Sequence, residues 1–145
     1  MPYLKVTISA DQSQEMTTKV VSFLTEHTAK LLGKRVEVIS ISIDYLSPKH
    51  WAIGGKTLAE QSKASFFLEI KITDGTNLKQ EKAEYIEKVY AEFEAILGPI
   101  HPASYIVLHD VGADAWGFEG VTQEFRYIQG KHASQGAYKP AIVNG

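Results

Sequence analysis

Leu68-Glu69-Ile70-Lys71-Ile72-Thr73 decides the fold, because it repeats the pattern of Leu4-Lys5-Val6-Thr7-Ile8-Ser9 after 64 positions. Both stretches alternate apolar and polar residues, as a half-buried strand does. Each leads through a polar turn into a helix. The first helix is expected over Gln14 to Leu32, with Met16, Val20, Leu24 and Leu31 on its inner face and Gly33 as its stop. In the second half Asn77 is expected to cap the helix, with Gln80 three residues on as in a capping box. Ala83, Ile86, Val89, Tyr90, Phe93, Ile96 and Leu97 then form one apolar stripe that ends at Gly98-Pro99.

A second strand follows in each half, Val36 to Ile43 and Tyr105 to His109. Each is succeeded by an aromatic-glycine element, His50-Trp51-Ala52-Ile53-Gly54-Gly55 and Ala115-Trp116-Gly117-Phe118-Glu119-Gly120. The two tryptophans are 65 positions apart, and so are Gly33 and Gly98. This is a duplicated β-α-β unit, and each crossover is expected to be right-handed. The fold class is α+β: tandem β-α-β units form a four-stranded mixed sheet with two helices on one face. The other face is left bare, and a bare sheet face is usually buried by association. The expected domain spans residues 1–128, made of units 1–63 and 64–128, followed by a tail over 129–145 that is mobile or contacts a partner.

Composition narrows the function classes. The 145 residues suffice for one core, and 15 basic against 17 acidic residues leave a net charge of −2. That balance points away from nucleic acid. There is no cysteine, hence no disulfide and no thiolate chemistry. No apolar run approaches the roughly 18 residues of a membrane span. Met1-Pro2-Tyr3-Leu4-Lys5 does not read as a signal peptide, so the expected location is cytoplasmic. The five histidines show no metal-ligand spacing, and neither a metal nor a cofactor is expected. His27 reads as a packed helix residue and Asp44 as a solvated turn carboxylate.

Pro2 is the most informative position for chemistry. Loss of Met1 leaves a secondary amine at the mouth of a strand. An ordinary α-amino group titrates at about 7.7–8. Apolar burial lowers that value by disfavouring the cation. A neutral amine near pH 7 is a competent general base.

Pro2-Tyr3-Leu4-Lys5-Val6, a helix ending in Leu32-Gly33-Lys34, and the Trp51-Ala52-Ile53-Gly54-Gly55 element together resemble the tautomerase superfamily. Each half is similar to 4-oxalocrotonate tautomerase. Nearly the whole chain is similar to macrophage migration inhibitory factor. The resemblance implies a homotrimer whose sites lie at subunit boundaries, with the amino-terminal proline shuttling a proton in a keto-enol acid. It implies roles for Lys34 on the substrate carboxylate, for Ile72 through its backbone, and for Tyr105 reaching a neighbour's pocket. It further implies that Trp116 walls the pocket and excludes water, with Phe118 beside it. Phe66 takes the place of Pro2 in the second unit, where a continuous chain offers no amine, and Trp51 walls that second pocket.

The arginines by which 4-oxalocrotonate tautomerase holds a dicarboxylate fall on Gln12 and Ser40, and on Thr76 and Tyr105. Those of the cis-3-chloroacrylic acid dehalogenase group fall on Thr73 and Thr76. This disfavours a dicarboxylate and leaves a small monocarboxylate such as a phenylpyruvate-like enol. The expected function is keto-enol tautomerase. The alternatives are a hydratase or decarboxylase with protonated Pro2 as general acid, and a non-enzymatic trimeric binding protein.

Overall fold

The structure, a computed structural model, describes residues 1–135. The chain divides into two compact units, Met1–Ile72 with Asn77–His109, and Thr73–Thr76 with the residues from Asp110 on.

In chain order come β1 (Tyr3–Ile8), α1 (Gln14–Leu32), β2 (Ser40–Tyr45), β3 (Ala52–Ile53), β4 (Lys56–Thr57), α2 (Leu58–Gln61), β5 (Phe66–Thr73), α3 (Lys79–Leu97) and β6 (Tyr105–Val111), all in the first unit except Thr73, Asp110 and Val111. Four of these strands form one mixed sheet in the order β2-β1-β5-β6. β1 is parallel to β2 and antiparallel to β5. The alternation expected from the sequence sets which side is buried: Leu4, Val6, Ile8, Phe66, Leu68, Ile70 and Ile72 have no exposed surface. They pack with Val20, Phe23 and Leu24 of α1 and Tyr85, Val89 and Phe93 of α3, so both helices cover the same face. Phe66 and Phe93 stack with centroids 4.0 Å apart, and Phe23 meets Phe93 edge-on at 4.9 Å.

The opposite face is less apolar than a bare hydrophobic sheet. It carries Tyr3, Lys5 and Thr7 on β1 against Lys71, Glu69 and Phe67 on β5. The cause is the same alternation, which sends every second residue outward.

The helices hold to their expected ends more closely than to their expected caps. Ser13 Oγ accepts from Met16 N–H at the start of α1, and Gly33 ends it at φ 66°. At α3 the N-cap is Leu78, not Asn77, and Glu81 Oε1 accepts the Leu78 N–H at 2.7 Å. Asn77 instead closes the other helix, its Nδ2 donating to Leu32 O at 2.9 Å. Tyr85, which the expected stripe leaves out, is fully buried, while Ile86 is exposed, and the Tyr85 hydroxyl is 2.9 Å from Thr28 Oγ1. The stretch Val36–Val38 is a 3-10 turn, so the second strand starts at Ser40 and not at Val36.

The second unit contains β7 (Gly117–Phe118), β8 (Val121–Thr122) and α4 (Gln123–Gln135). α4 runs through residue 129, the expected start of the tail, and residues 136–145 of that tail lie outside the described residues. Among the described residues no helix is long and apolar enough to cross a membrane.

Candidate active site

Pro2 is buried immediately before β1, and its carbonyl accepts the Ser40 N–H at 3.2 Å. With Met1 attached its nitrogen is a tertiary amide and carries no basic lone pair. Next to it, Tyr3 pairs with Lys71 of β5, and the Tyr3 hydroxyl is 2.7 Å from Ser42 Oγ. Ile72 is the next residue on β5. Its side chain is wholly in the core, so its backbone is what remains to line a pocket.

Lys34 is half-buried just past Gly33. The Asn77 carboxamide that closes α1 also donates to Glu81 Oε1 at 3.3 Å. The Leu78 N–H, then Asn77, and also the Lys34 cation hold the Glu81 carboxyl below the ordinary carboxylate range. Lys34 therefore lies in the field of an anion of its own chain.

Tyr105 lies elsewhere. It is 56% exposed at the start of β6, and its ring meets Phe67 edge-on with centroids 6.4 Å apart. Together with Trp51, Ile53, Phe66, Phe67 and Ala103 it lines a largely apolar concavity of about 380 Å3. On β1, Tyr3 is opposite Lys71 while Thr7 is opposite Phe67. Four residues of strand cover about 14 Å, so Pro2 and Tyr105 occupy opposite ends of the sheet in one protomer. The concavity does join Trp51 to Phe66, as the duplication implies. The register explains why: Leu4 pairs with Ile70 and Val6 with Leu68, and a shift of 64 positions exchanges the two pairs. Phe66 thus stands in the place of Pro2.

A larger concavity of about 620 Å3, between the start of α1 and β2, includes none of the expected site residues. Asp44 is on its rim, exposed. His27 is half-buried on α1 with Nε2 3.8 Å from Glu92 Oε2, consistent with packing.

In the second unit Trp116 and Phe118 are both half-buried. The Trp116 carbonyl accepts the Gln123 N–H at 2.8 Å, which ties the tryptophan to the start of α4. Over the Phe118 ring, 4.0 Å from its centroid, lies the guanidinium of Arg126. Arg126 falls at none of the positions that the resemblance assigns to arginine. The signal that finds it is composition, because the chain has only two arginines.

No family model and no curated protein matches the chain. Solved structures do match. A native fused 4-OT superimposes with a TM-score of 0.74 at 18% identity, covering 85% of this chain and 97% of its own. Pt0534 inactivated by 2-oxo-3-pentynoate gives 0.75 at 11% identity, covering 86% and 98%. A macrophage migration inhibitory factor homologue from Prochlorococcus marinus gives 0.68 at 23% identity, covering 83% and 97%. The chain has the fold these proteins share over 83–86% of its length.

Proposed function

We propose that this chain is a cytoplasmic, homotrimeric keto-enol tautomerase acting on a small enolic 2-oxo acid, with Pro2 as its general base. Removal of Met1 turns the Pro2 amide into a secondary amine. The observation that carries the reading is the burial of Pro2 at the head of a central strand, a setting that disfavours the ammonium form. The neutral amine takes a proton from the enol hydroxyl or from carbon and returns it at the other position. Lys34 attracts the substrate carboxylate, Tyr105 hydrogen-bonds the enolic oxygen, and Trp116 and Phe118 exclude water, with the backbone of Ile72 as part of the wall.

Tyr105 and Pro2 lie at opposite ends of the sheet, so a tyrosine at the Pro2 site comes from a second protomer. A fused 4-OT of this fold is a symmetric trimer, which supports that assembly. Pt0534 is inactivated by 2-oxo-3-pentynoate, itself a 2-oxo acid, which supports the substrate class.

The test is ketonisation of enol-phenylpyruvate by a chain whose mass shows that Met1 is gone. Pro2→Ala is expected to lower kcat by about 10²–10⁴, the usual worth of a general base. A residue added before Pro2 is expected to do the same. Turnover that survives both changes makes the mechanism wrong.

A further inference from the structure

The concavity at the head of β5 holds no amine, so it cannot do the chemistry proposed for Pro2. Its volume of about 380 Å3 is nonetheless that of a small-molecule site. Phe66 lines it with no exposed surface and is braced by Phe93, stacked at 4.0 Å. Phe67 and Tyr105 line it as an edge-on pair, and Trp51 and Ile53 add a half-buried indole and an aliphatic side chain. Among the described residues, no carboxylate, ammonium or guanidinium lines it. The lining side chains carry two polar groups, the Trp51 indole N–H and the Tyr105 hydroxyl.

The internal repeat dates the change in character to the second half. Phe66, Phe67 and Tyr105 hold the places of Pro2, Tyr3 and Ser40. Two non-aromatic positions have become aromatic where the amine was lost. Phe66 is far larger than proline, yet the concavity is not filled. Aromatic rings on several sides favour a planar ring through stacked and edge-to-face contacts. A charged ligand there would lose water without gaining a counter-charge.

We infer that this concavity is a second, non-catalytic site that binds a neutral aromatic small molecule, whose hydrogen-bond acceptor meets the Trp51 N–H or the Tyr105 hydroxyl. This is independent of the chemistry proposed for Pro2. The trimer proposed above brings a second copy to Tyr105, so that copy is the competing occupant.

The experiment titrates the full chain carrying Trp116→Phe, in which Trp51 is the one remaining tryptophan. The probes are acetophenone, neutral with one acceptor, and benzoate, similar in shape but charged. Acetophenone is expected to quench Trp51 fluorescence saturably, at a concentration about tenfold or more below that for benzoate. Phe67→Ala in the same chain is expected to weaken acetophenone about tenfold. Ile53→Lys adds the missing cation and keeps the backbone carbonyl that accepts from Gln61 Nε2 at 2.9 Å. It is expected to reverse the preference towards benzoate, and it decides the matter if Phe67→Ala does not fold. Quenching that rises linearly without saturation, equal affinity for the two probes, or a preference that Ile53→Lys leaves unchanged overturns the inference. Linear quenching together with a smaller assembly of Ile53→Lys in sedimentation assigns the concavity to a second copy, and also overturns it. The readout needs no turnover, so a failure of the tautomerase reading leaves this result standing, and a failure here leaves that reading untouched.

Discussion

The hairpin after Trp51 turns through Gly54 and Gly55 at φ 68° and 82°, and the hairpin after Trp116 turns through Glu119 and Gly120 at φ 52° and 84°. Both use the turn that favours positive φ at two central residues. In each, the tryptophan carbonyl accepts an N–H at 2.8 Å from the residue that starts the next helix, Leu58 or Gln123. In each, a threonine hydroxyl accepts an N–H three residues on, Glu60 for Thr57 and Phe125 for Thr122. Two places differ. Ile53 and Gln61 in the first hairpin become Phe118 and Arg126 in the second. The backbone bonds that define the module tolerate little change. Side chains outside those bonds are free to diverge, and there the two halves acquire different chemistry.

The heads of β1 and β5 diverge in the same way, and that comparison breaks most easily. Phe66 is fully buried and stacked on Phe93, so Phe66→Ala is expected to cost about 3–5 kcal/mol of stability. Pro2→Ala removes far less packing, and the Ser40 N–H to Pro2 carbonyl bond survives it. Its expected cost is below about 1 kcal/mol. Urea unfolding of the two variants at one protein concentration checks this. Equal costs at the two positions destroy the distinction between a residue kept for packing and one kept for chemistry.

Tyr85 sharpens the comparison between the helices, since Val20 holds its place in α1 and has no ionisable group. Burial pushes the Tyr85 hydroxyl up to about 12 from 10.0, although the Thr28 hydrogen bond opposes that rise. A folded value above the unfolded one means that stability is fully present below pH 10 and is lost as pH rises towards 12. The loss tends to about 2–3 kcal/mol. Tyr85→Phe is expected to flatten that alkaline limb. It also costs about 1–2 kcal/mol at neutral pH, because the buried Thr28 hydroxyl loses its partner. Thermal unfolding between pH 8 and 11 follows both effects.

The strand phases, the ends of α1 and both tryptophan hairpins are legible in the sequence because each rests on local periodicity or a local turn. The second strand is misread at Val36-Glu37-Val38, which alternates like a strand. β1 offers it no ladder: pairing begins at Tyr3 with Ser40, and Pro2 has no N–H to extend it. Asn77 looks like a local cap, but its bond to Leu32 spans 45 positions, and no local pattern encodes such a contact. The same limit hides Arg126. Its stacking on Phe118 links residues eight apart, on a strand and a helix whose packing sets the contact.

The smallest effect lies in the turns themselves. Gly54 and Glu119 hold corresponding positions, both at positive φ. A Cβ built on Gly54 meets nothing within 4 Å, so any penalty there is conformational and not steric crowding by neighbours. Gly54→Ala is expected to cost about 1 kcal/mol, the left-handed penalty of a residue with a Cβ. Glu119→Gly removes that penalty and adds chain entropy to the unfolded state, which returns about 0.4–1 kcal/mol of it. Its net effect is therefore close to zero or slightly stabilising. The two substitutions are opposite in sense but unequal in size. Paired urea titrations in which both substitutions destabilise mean that Glu119 makes a compensating contact, and the two turns are then not energetically alike.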